Sequence, residues 1–283
     1  MIFKGLYTAL VTPFKTDESL DLEVFESLIE SQIQAGVDGL VVLGTTGESP
    51  TISEEESEIL IATAIKKADG RTQIIIGTGS NCTAKSIKAS QKAQELGADG
   101  VMLVNSYYNK PTQKGLYEHF SVIAKSITIP VILYNVACRT SINLETETLL
   151  ALSKIDNIVG VKEASGDLDQ IKEVIASVPD DFSVLSGDDS MTLELCKSGG
   201  HGVVSVASNI VPEAVKTYLE DLQPNSFLEK LFEDIFIETN PQPIKTLLAE
   251  EGGCEEVFRL PMTTMMPENK AQLLETFKNF KHS

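Results

Sequence analysis

The chain has 283 residues, 42% hydrophobic and 23% charged, enough to bury a sizeable core as one large domain or two ordinary ones. Its 23 Lys and Arg stand against 41 Asp and Glu. The resulting net charge of -18 repels phosphate backbones and anionic lipid, so neither nucleic acid nor a membrane surface is expected as a partner. The charge is spread along the chain without an acidic tail and reads as a well-solvated surface.

The opening MIFKGLYTALVTPF carries one Lys and a short apolar run that meets Pro13, without the h-region or small-residue cleavage site of a signal peptide. No apolar run reaches membrane-spanning length. Cys82, Cys138, Cys196 and Cys254 lie far apart with no C-x-x-C pair, a usage that suits reduced thiols in a cytoplasm rather than a disulfide frame or a zinc site. His119, His201 and His282 fall in no ligand spacing, so metal catalysis through His or Cys is not expected.

Eight short β-branched runs follow one another: LYTALVTP (6–13), GLVVLG (39–44), QIIIGTG (73–79), GVMLVNS (100–106), PVILYNV (130–136), IVGVKEA (158–164), FSVLSGD (182–188) and GVVSVAS (202–208). Their centres lie 19 to 34 residues apart, the length of a strand-plus-helix unit. The runs are continuously apolar rather than alternating, as in a parallel sheet buried on both faces.

Helix patterns fill the gaps. In LEVFESLIESQIQAGVDG, Val24, Leu28, Ile29 and Ile33 mark one face and Gly36 is placed to end the helix. SEEESEILIATAIKKA opens with Ser53 three residues before Glu56, a capping-box spacing, with acids in its first turn and lysines in its last. Further helices are predicted near 83–96, 115–126, 144–153, 166–177 and 190–198. Eight such units in residues 1–223 match a (β/α)8 TIM barrel, for which about 250 residues is typical. A doubly wound open sheet has the same alternation, and strand count alone does not separate the two. Beyond Val211 the pattern is helical only: PEAVKTYLEDL, FLEKLFEDIFIE, PIKTLLAEE, a Gly252-Gly253 break and PENKAQLLETFKNF. Residues 224–283 therefore read as a C-terminal helical extension packed on a catalytic barrel domain.

In such a barrel the polar residues just after each strand are the candidates for chemistry. GTTGES (44–49) either holds a carboxylate or phosphate on its hydroxyls and N–H groups, or is a satisfied Ser/Thr turn. Lys162 follows four apolar or small residues at the end of the sixth predicted strand, where an ammonium is costly unless paired or deprotonated. It is either a desolvated nucleophile of the Schiff-base type or a strand-end lysine snorkelling to solvent. Tyr134, two residues after Ile132, points the same way as Ile132, as a proton relay or a core phenol. Arg139 is a carboxylate clamp or a surface charge, and SYYNKP (106–111) an interface or a site. SGDD (186–189) is a metal-binding pair or a helix cap. His201 precedes the eighth strand, at the barrel end away from catalysis, and reads as packing.

GTTGES, SYYNKP, YNVACRT, VKEASGD, SGDD and GVVSVASN, in this order and spacing, together with NPQPIK (240–245) and RLPM (259–262), resemble the dihydrodipicolinate synthase and N-acetylneuraminate lyase family of class I, lysine-dependent aldolases. Within that family, GTTGES and the arginine after YNV look like the synthase branch, whereas sialic acid lyases carry GSTGE and lack that arginine. The resemblance implies a cytoplasmic enzyme of lysine and diaminopimelate biosynthesis that condenses pyruvate with L-aspartate 4-semialdehyde and needs no metal or organic cofactor. An alternative in the same family is a lyase or dehydratase acting on N-acetylneuraminate or a 2-keto-3-deoxy sugar acid.

By the resemblance, Lys162 forms the imine with pyruvate and Tyr134 moves protons. Thr45 and Tyr108 link Tyr134 into a relay, with Tyr108 donated by a neighbouring subunit of a homotetramer built as a dimer of dimers. Thr46 binds the pyruvate carboxylate, Arg139 receives the semialdehyde carboxylate, and Gly187 and Val204 border the Schiff base. The family usually reads YNVPGRT, and Ala137-Cys138 here replaces Pro-Gly. That exchange frees one φ and restricts the other, so the loop aiming Arg139 is expected to differ. In lysine-inhibited members an effector pocket matches Ser49, Pro50, Glu54, Ser57, Asn81, Lys85 and Tyr107. Sensitive members usually place a glutamate where this chain has Lys85. A cation there repels the effector's ammonium, so weak or absent lysine inhibition is expected.

Overall fold

A parallel strand buried on both faces needs a neighbour on each edge, and here the edges are removed altogether. In the computed structural model, which describes residues 3–282, the apolar runs form β1 (Gly5–Ala9), β2 (Gly39–Val42), β3 (Gln73–Gly77), β4 (Gly100–Val104), β5 (Val131–Asn135), β6 (Ile158–Glu163), β7 (Ser183–Ser186) and β8 (Gly202–Ser205). They pair in sequence order, all parallel, and β8 returns to β1 with Gly5 opposite Gly202 and Thr8 opposite Ser205. This last pairing excludes the open sheet and closes a (β/α)8 barrel. Met1, Ile2 and Ser283, at the outer ends of the two units read from the sequence, lie outside the described residues.

Each strand is shorter than its apolar run because the run continues past the last ladder bond into the loop above it. After β2, for example, Leu43 turns to a left-handed φ of 59° and leaves the sheet. Side chains alternate across the barrel wall. Tyr7, Ala9, Val41, Ile75, Met102, Ile132, Tyr134, Leu185 and Val204 fill the interior, so Tyr134 does follow Ile132 inward. The other face, with Leu40, Ile74, Val101, Leu133, Val161 and Val184, packs under the helices in a single larger core.

Among the described residues, the barrel helices are Leu22–Gln34, Glu54–Ala68, Thr83–Leu96, Gln113–Lys125, Thr146–Leu152, Leu168–Ser177, Thr192–Lys197 and Pro212–Asp221, within two residues of the predicted spans. Gly36, with φ 74°, follows the first of them as expected. Helices Ser226–Asp234, Gln242–Glu250 and Pro267–Lys281 come after the barrel. The first of these stops short of the FLEKLFEDIFIE pattern, and its last residue, Asp234, accepts from Thr276 Oγ1 at 2.6 Å and Gln272 Nε2 at 3.1 Å, tying it to the last helix. No helix among the described residues is long and apolar enough to cross a membrane.

The capping box is formed. Ser53 Oγ accepts from Glu56 N at 3.1 Å, and Glu56 accepts from Ser53 N at 3.0 Å. It satisfies two donors that otherwise lack helical partners. Ser53→Ala is therefore expected to cost about 1 kcal/mol. Chemical denaturation of the variant beside the parent measures it, and an unchanged midpoint would refute the assignment.

Candidate active site

Lys162 is the penultimate residue of β6 and lies between Tyr134 on β5 and Leu185 on β7. Its side chain points into the barrel rather than to solvent, with 5% of the residue exposed. The Nζ atom stands 4.2 Å from the centroid of the Tyr134 ring. Burial lowers the amine's pKa to about 8, opposed by the negative charge of Asp189, reinforced by the Arg139 cation and opposed again by Asp188. Burial pushes the Tyr134 phenol the other way, up to about 12, with the Arg139 charge and the Thr45 hydroxyl pulling it down and Cys138 and Asp188 adding to the rise. Burial thus moves the two groups apart, favouring the uncharged amine and the uncharged phenol side by side.

Space for the lysine comes from glycine at 187. A Cβ there would fall 2.8 Å from Lys162 Cε and 2.9 Å from Ala164 Cβ. Val204 lies in the same interior cluster as Tyr134 and Leu185. The SGDD carboxylates diverge instead of pairing. Asp188 accepts from Ser190 N at 2.9 Å as the cap of a short 3-10 turn. Buried Asp189 accepts from the Ser205 hydroxyl, from Val206 N at 2.9 Å and from Ala207 N at 3.3 Å, so it ties β7 to the end of β8. Burial raises its pKa to about 6, with those hydrogen bonds opposing. His201, as expected, serves packing: its Nδ1 accepts from Val184 N at 2.9 Å at the opposite end of the barrel.

The GTTGES turn sits over the mouth. Leu43 enters it with a left-handed φ, strained for a branched side chain, and its carbonyl lies where a Cβ on Gly77 would approach to 2.3 Å. Thr45 and Tyr134 both line a small cavity at the mouth, together with Met102 and Val104. Thr46 is buried, and its Oγ1 accepts from Asn240 Nδ2 at 2.9 Å.

A wider cleft of about 350 Å³ opens beyond it, lined by Thr45, Ser49, Pro50, Ser57, Tyr107 and Arg139 among others. Arg139 lies exposed in a single helical turn, Ala137–Thr140, anchored by Thr140 Oγ1 donating to Val136 O at 3.0 Å. Neither Ala137 nor Cys138 has a positive φ, so the turn is made without the Pro-Gly pair, and its left-handed residue is Ser141, φ 60°, at its end. Tyr108 is not brought to this cleft by its own chain; it has a left-handed φ of 69° and is 89% exposed.

The effector positions divide. Ser49 and Tyr107 line the wide cleft, whereas Glu54 and Lys85 line an adjoining cavity between helices Glu54–Ala68 and Thr83–Leu96, with Lys88 and Lys92. Asn81 lines neither cavity; its carbonyl accepts from Asn109 Nδ2 at 2.9 Å. Sequence reasoning assigned no role to Glu48, Asn240 or Lys245, all three within quoted motifs. The available signal was Lys245 itself, a charge inside the apolar stretch PIKTLL.

The chain matches the profile of the dihydrodipicolinate synthetase family over residues 2–280. It belongs to that family. The chain is 47% identical over 289 residues to the 4-hydroxy-tetrahydrodipicolinate synthase of Endomicrobium trichonymphae, covering 99% of each. The crystal structure of dihydrodipicolinate synthase from Aquifex aeolicus superposes with a TM-score of 0.94 at 44% identity, over 99% of this chain and 98% of that one. The chloride-inhibited dihydrodipicolinate synthase of Acinetobacter baumannii, complexed with pyruvate, gives a TM-score of 0.94 at 37% identity over 99% of both chains. In this member of the dihydrodipicolinate synthetase family, then, the buried amine, the phenol above it and the threonine turn stand together at the barrel mouth.

Only the neutral amine is nucleophilic, and burial moves its appearance to lower pH: the ammonium prevails below about 8 and the free amine above it. Reductive methylation of Lys162 by formaldehyde and cyanoborohydride, read by peptide mass spectrometry, should reach half its maximal rate near pH 8. A midpoint in the ordinary lysine range, about 10.4, would contradict the burial argument.

Proposed function

We infer that the chain catalyses the Schiff-base condensation of pyruvate with L-aspartate 4-semialdehyde to 4-hydroxy-tetrahydrodipicolinate, in the lysine and diaminopimelate route. The observation that carries this reading is the desolvated Lys162 amine beneath the Tyr134 ring, in a chain 47% identical to a protein of that name. The free amine adds to the pyruvate carbonyl, and loss of water leaves an iminium. That cation withdraws electrons from the neighbouring methyl, so a proton leaves it and an enamine forms. The enamine carbon attacks the semialdehyde aldehyde, the regenerated iminium is attacked by the semialdehyde's amine, and ring closure releases Lys162.

Tyr134 is the group that carries these protons. Its raised pKa makes free phenolate scarce, so it works by handing a proton on through hydrogen-bonded neighbours rather than by standing as an anion. Thr45 is the first neighbour and Tyr108 of an adjoining subunit the second. The wide exposure of Tyr108 supports that donation and, with it, a homotetramer built from tight dimers. The Thr46 turn takes the pyruvate carboxylate, Arg139 that of the semialdehyde, and Gly187 and Val204 border the imine. The division into a catalytic barrel over 1–223 and an extension over 224–283, and a cytoplasmic location, belong to the same reading.

Borohydride added with pyruvate should leave a covalent adduct on Lys162, and pyruvate with semialdehyde should turn over well ahead of cleavage of N-acetylneuraminate. Absence of the adduct would overturn the Schiff-base chemistry. Preference for the sugar acid would move the chain to the alternative lyase or dehydratase activity. The cavity that holds Lys85 is lined by three lysines against Glu54 and Glu58, which disfavours a further ammonium. Steady-state assays should accordingly show no half-inhibition at sub-millimolar lysine, and half-inhibition in that range would refute this account of the cavity.

A further inference from the structure

Glu48 ends the threonine turn in a left-handed conformation, φ 53°, that a residue with a Cβ seldom takes unless its surroundings impose it. Its carboxylate is withdrawn from water, 1% exposed, and accepts from Lys245 Nζ at 2.6 Å; the Lys245 side chain has no exposed surface at all. Lys245 lies on the extension helix Gln242–Glu250, 197 residues away along the chain. Its Nζ also donates to Val257 O at 2.6 Å and stands 4.5 and 4.8 Å from the ring centroids of Phe14 and Phe258.

The same extension grips the neighbouring residues. Asn240 Nδ2 holds Thr46 Oγ1, and Arg259 N donates to the second Glu48 oxygen at 3.4 Å. The Arg259 guanidinium donates to Thr51 O at 2.8 Å and chelates the Glu56 carboxylate. From the barrel side, Thr12 Oγ1 donates to Gly47 O at 2.7 Å. Residues 46, 47, 48 and 51 are therefore each tied down from outside the turn, and Thr45 is left facing Tyr134 across the small cavity.

We propose that the buried Glu48–Lys245 pair, with Asn240 on Thr46, is a clamp through which the extension sets the threonine turn against Lys162, making Glu48 and Lys245 positioning residues for capture of the keto-acid carboxylate. It rests on the assignment of that turn to the pyruvate carboxylate. A pair of charges in a water-excluded pocket has one favourable arrangement, because any slippage leaves both desolvated and unpaired. An apolar contact of the same volume would glue the extension on equally well without fixing where residue 48 stands. The two accounts diverge in what they do to substrate binding.

The test uses the full chain carrying Glu48→Gln with Lys245→Met, which removes both charges together, and Glu48→Gln alone, which keeps an acceptor for Lys245. Melting temperature, pyruvate KM, kcat and borohydride trapping are read for each. The clamp requires a folded double variant whose pyruvate KM rises about tenfold or more while kcat stays within about threefold, with a smaller rise in the single variant. Trapping at saturating pyruvate should still label Lys162. A double variant that melts lower yet keeps the parent's pyruvate KM makes the pair merely structural and overturns the proposal. If the double variant does not fold, an unchanged KM in Glu48→Gln overturns it alone. A parent enzyme that traps no pyruvate is a separate result, and refutes the functional reading on which the clamp stands.

Discussion

An amine attached to the inner wall of a closed barrel has water on one side only, and the chemistry here hangs on that desolvation. Lys162 pays for its position in protonation: buried among Leu185, Tyr134 and Gly187, it holds its proton less tightly than in water, so the free amine appears at lower pH than on an exposed lysine. The same dry wall raises the Tyr134 phenol and the Asp189 carboxyl. One cause, exclusion of solvent at the strand ends, therefore favours the neutral form of all three groups.

Charge at long range works against such a site. A chain of net charge -18 repels carboxylates at long range, and the cleft sets against that field the Arg139 cation and the hydroxyls and N–H groups of the threonine turn. That turn is rigidly placed. The turn begins and ends on left-handed residues, Leu43 and Glu48, neither of them glycine, and the strain is held by the carbonyl space at Gly77 on one side and the Lys245 ion pair on the other. The helical extension is thus joined to the active-site loop by directed polar contacts and to the barrel helices by ordinary apolar packing, as with Leu231, Phe232 and Leu273 in the main core.

Much of this architecture was legible in the residues. Eight apolar runs spaced for strand-plus-helix units, the Ser53–Glu56 cap and the helix-ending Gly36 act through neighbours close in sequence, and each appears where it was read. Lys162 and Tyr134 were legible as candidates because a polar group after a buried strand is conspicuous. The alternatives attached to them were not separable at that level. Whether Lys162 snorkels or is buried depends on β5 and β7 standing beside it, and whether the SGDD carboxylates converge depends on Ser205 reaching Asp189 from β8. The short turn at Ala137–Thr140 was also missed, since four residues carry no periodicity.

By itself the sequence determined the order of the eight strand-plus-helix units and the residue types at each strand end, because propensity, capping and hydrophobic period are local properties of the chain. Tertiary structure alone decided closure of the sheet, the desolvation of Lys162 and the meeting of Glu48 with Lys245. Each of those is a contact between residues far apart in sequence, such as Gly5 with Gly202 or Glu48 with Lys245, and its energy exists only once the barrel has brought them together and shut out the water.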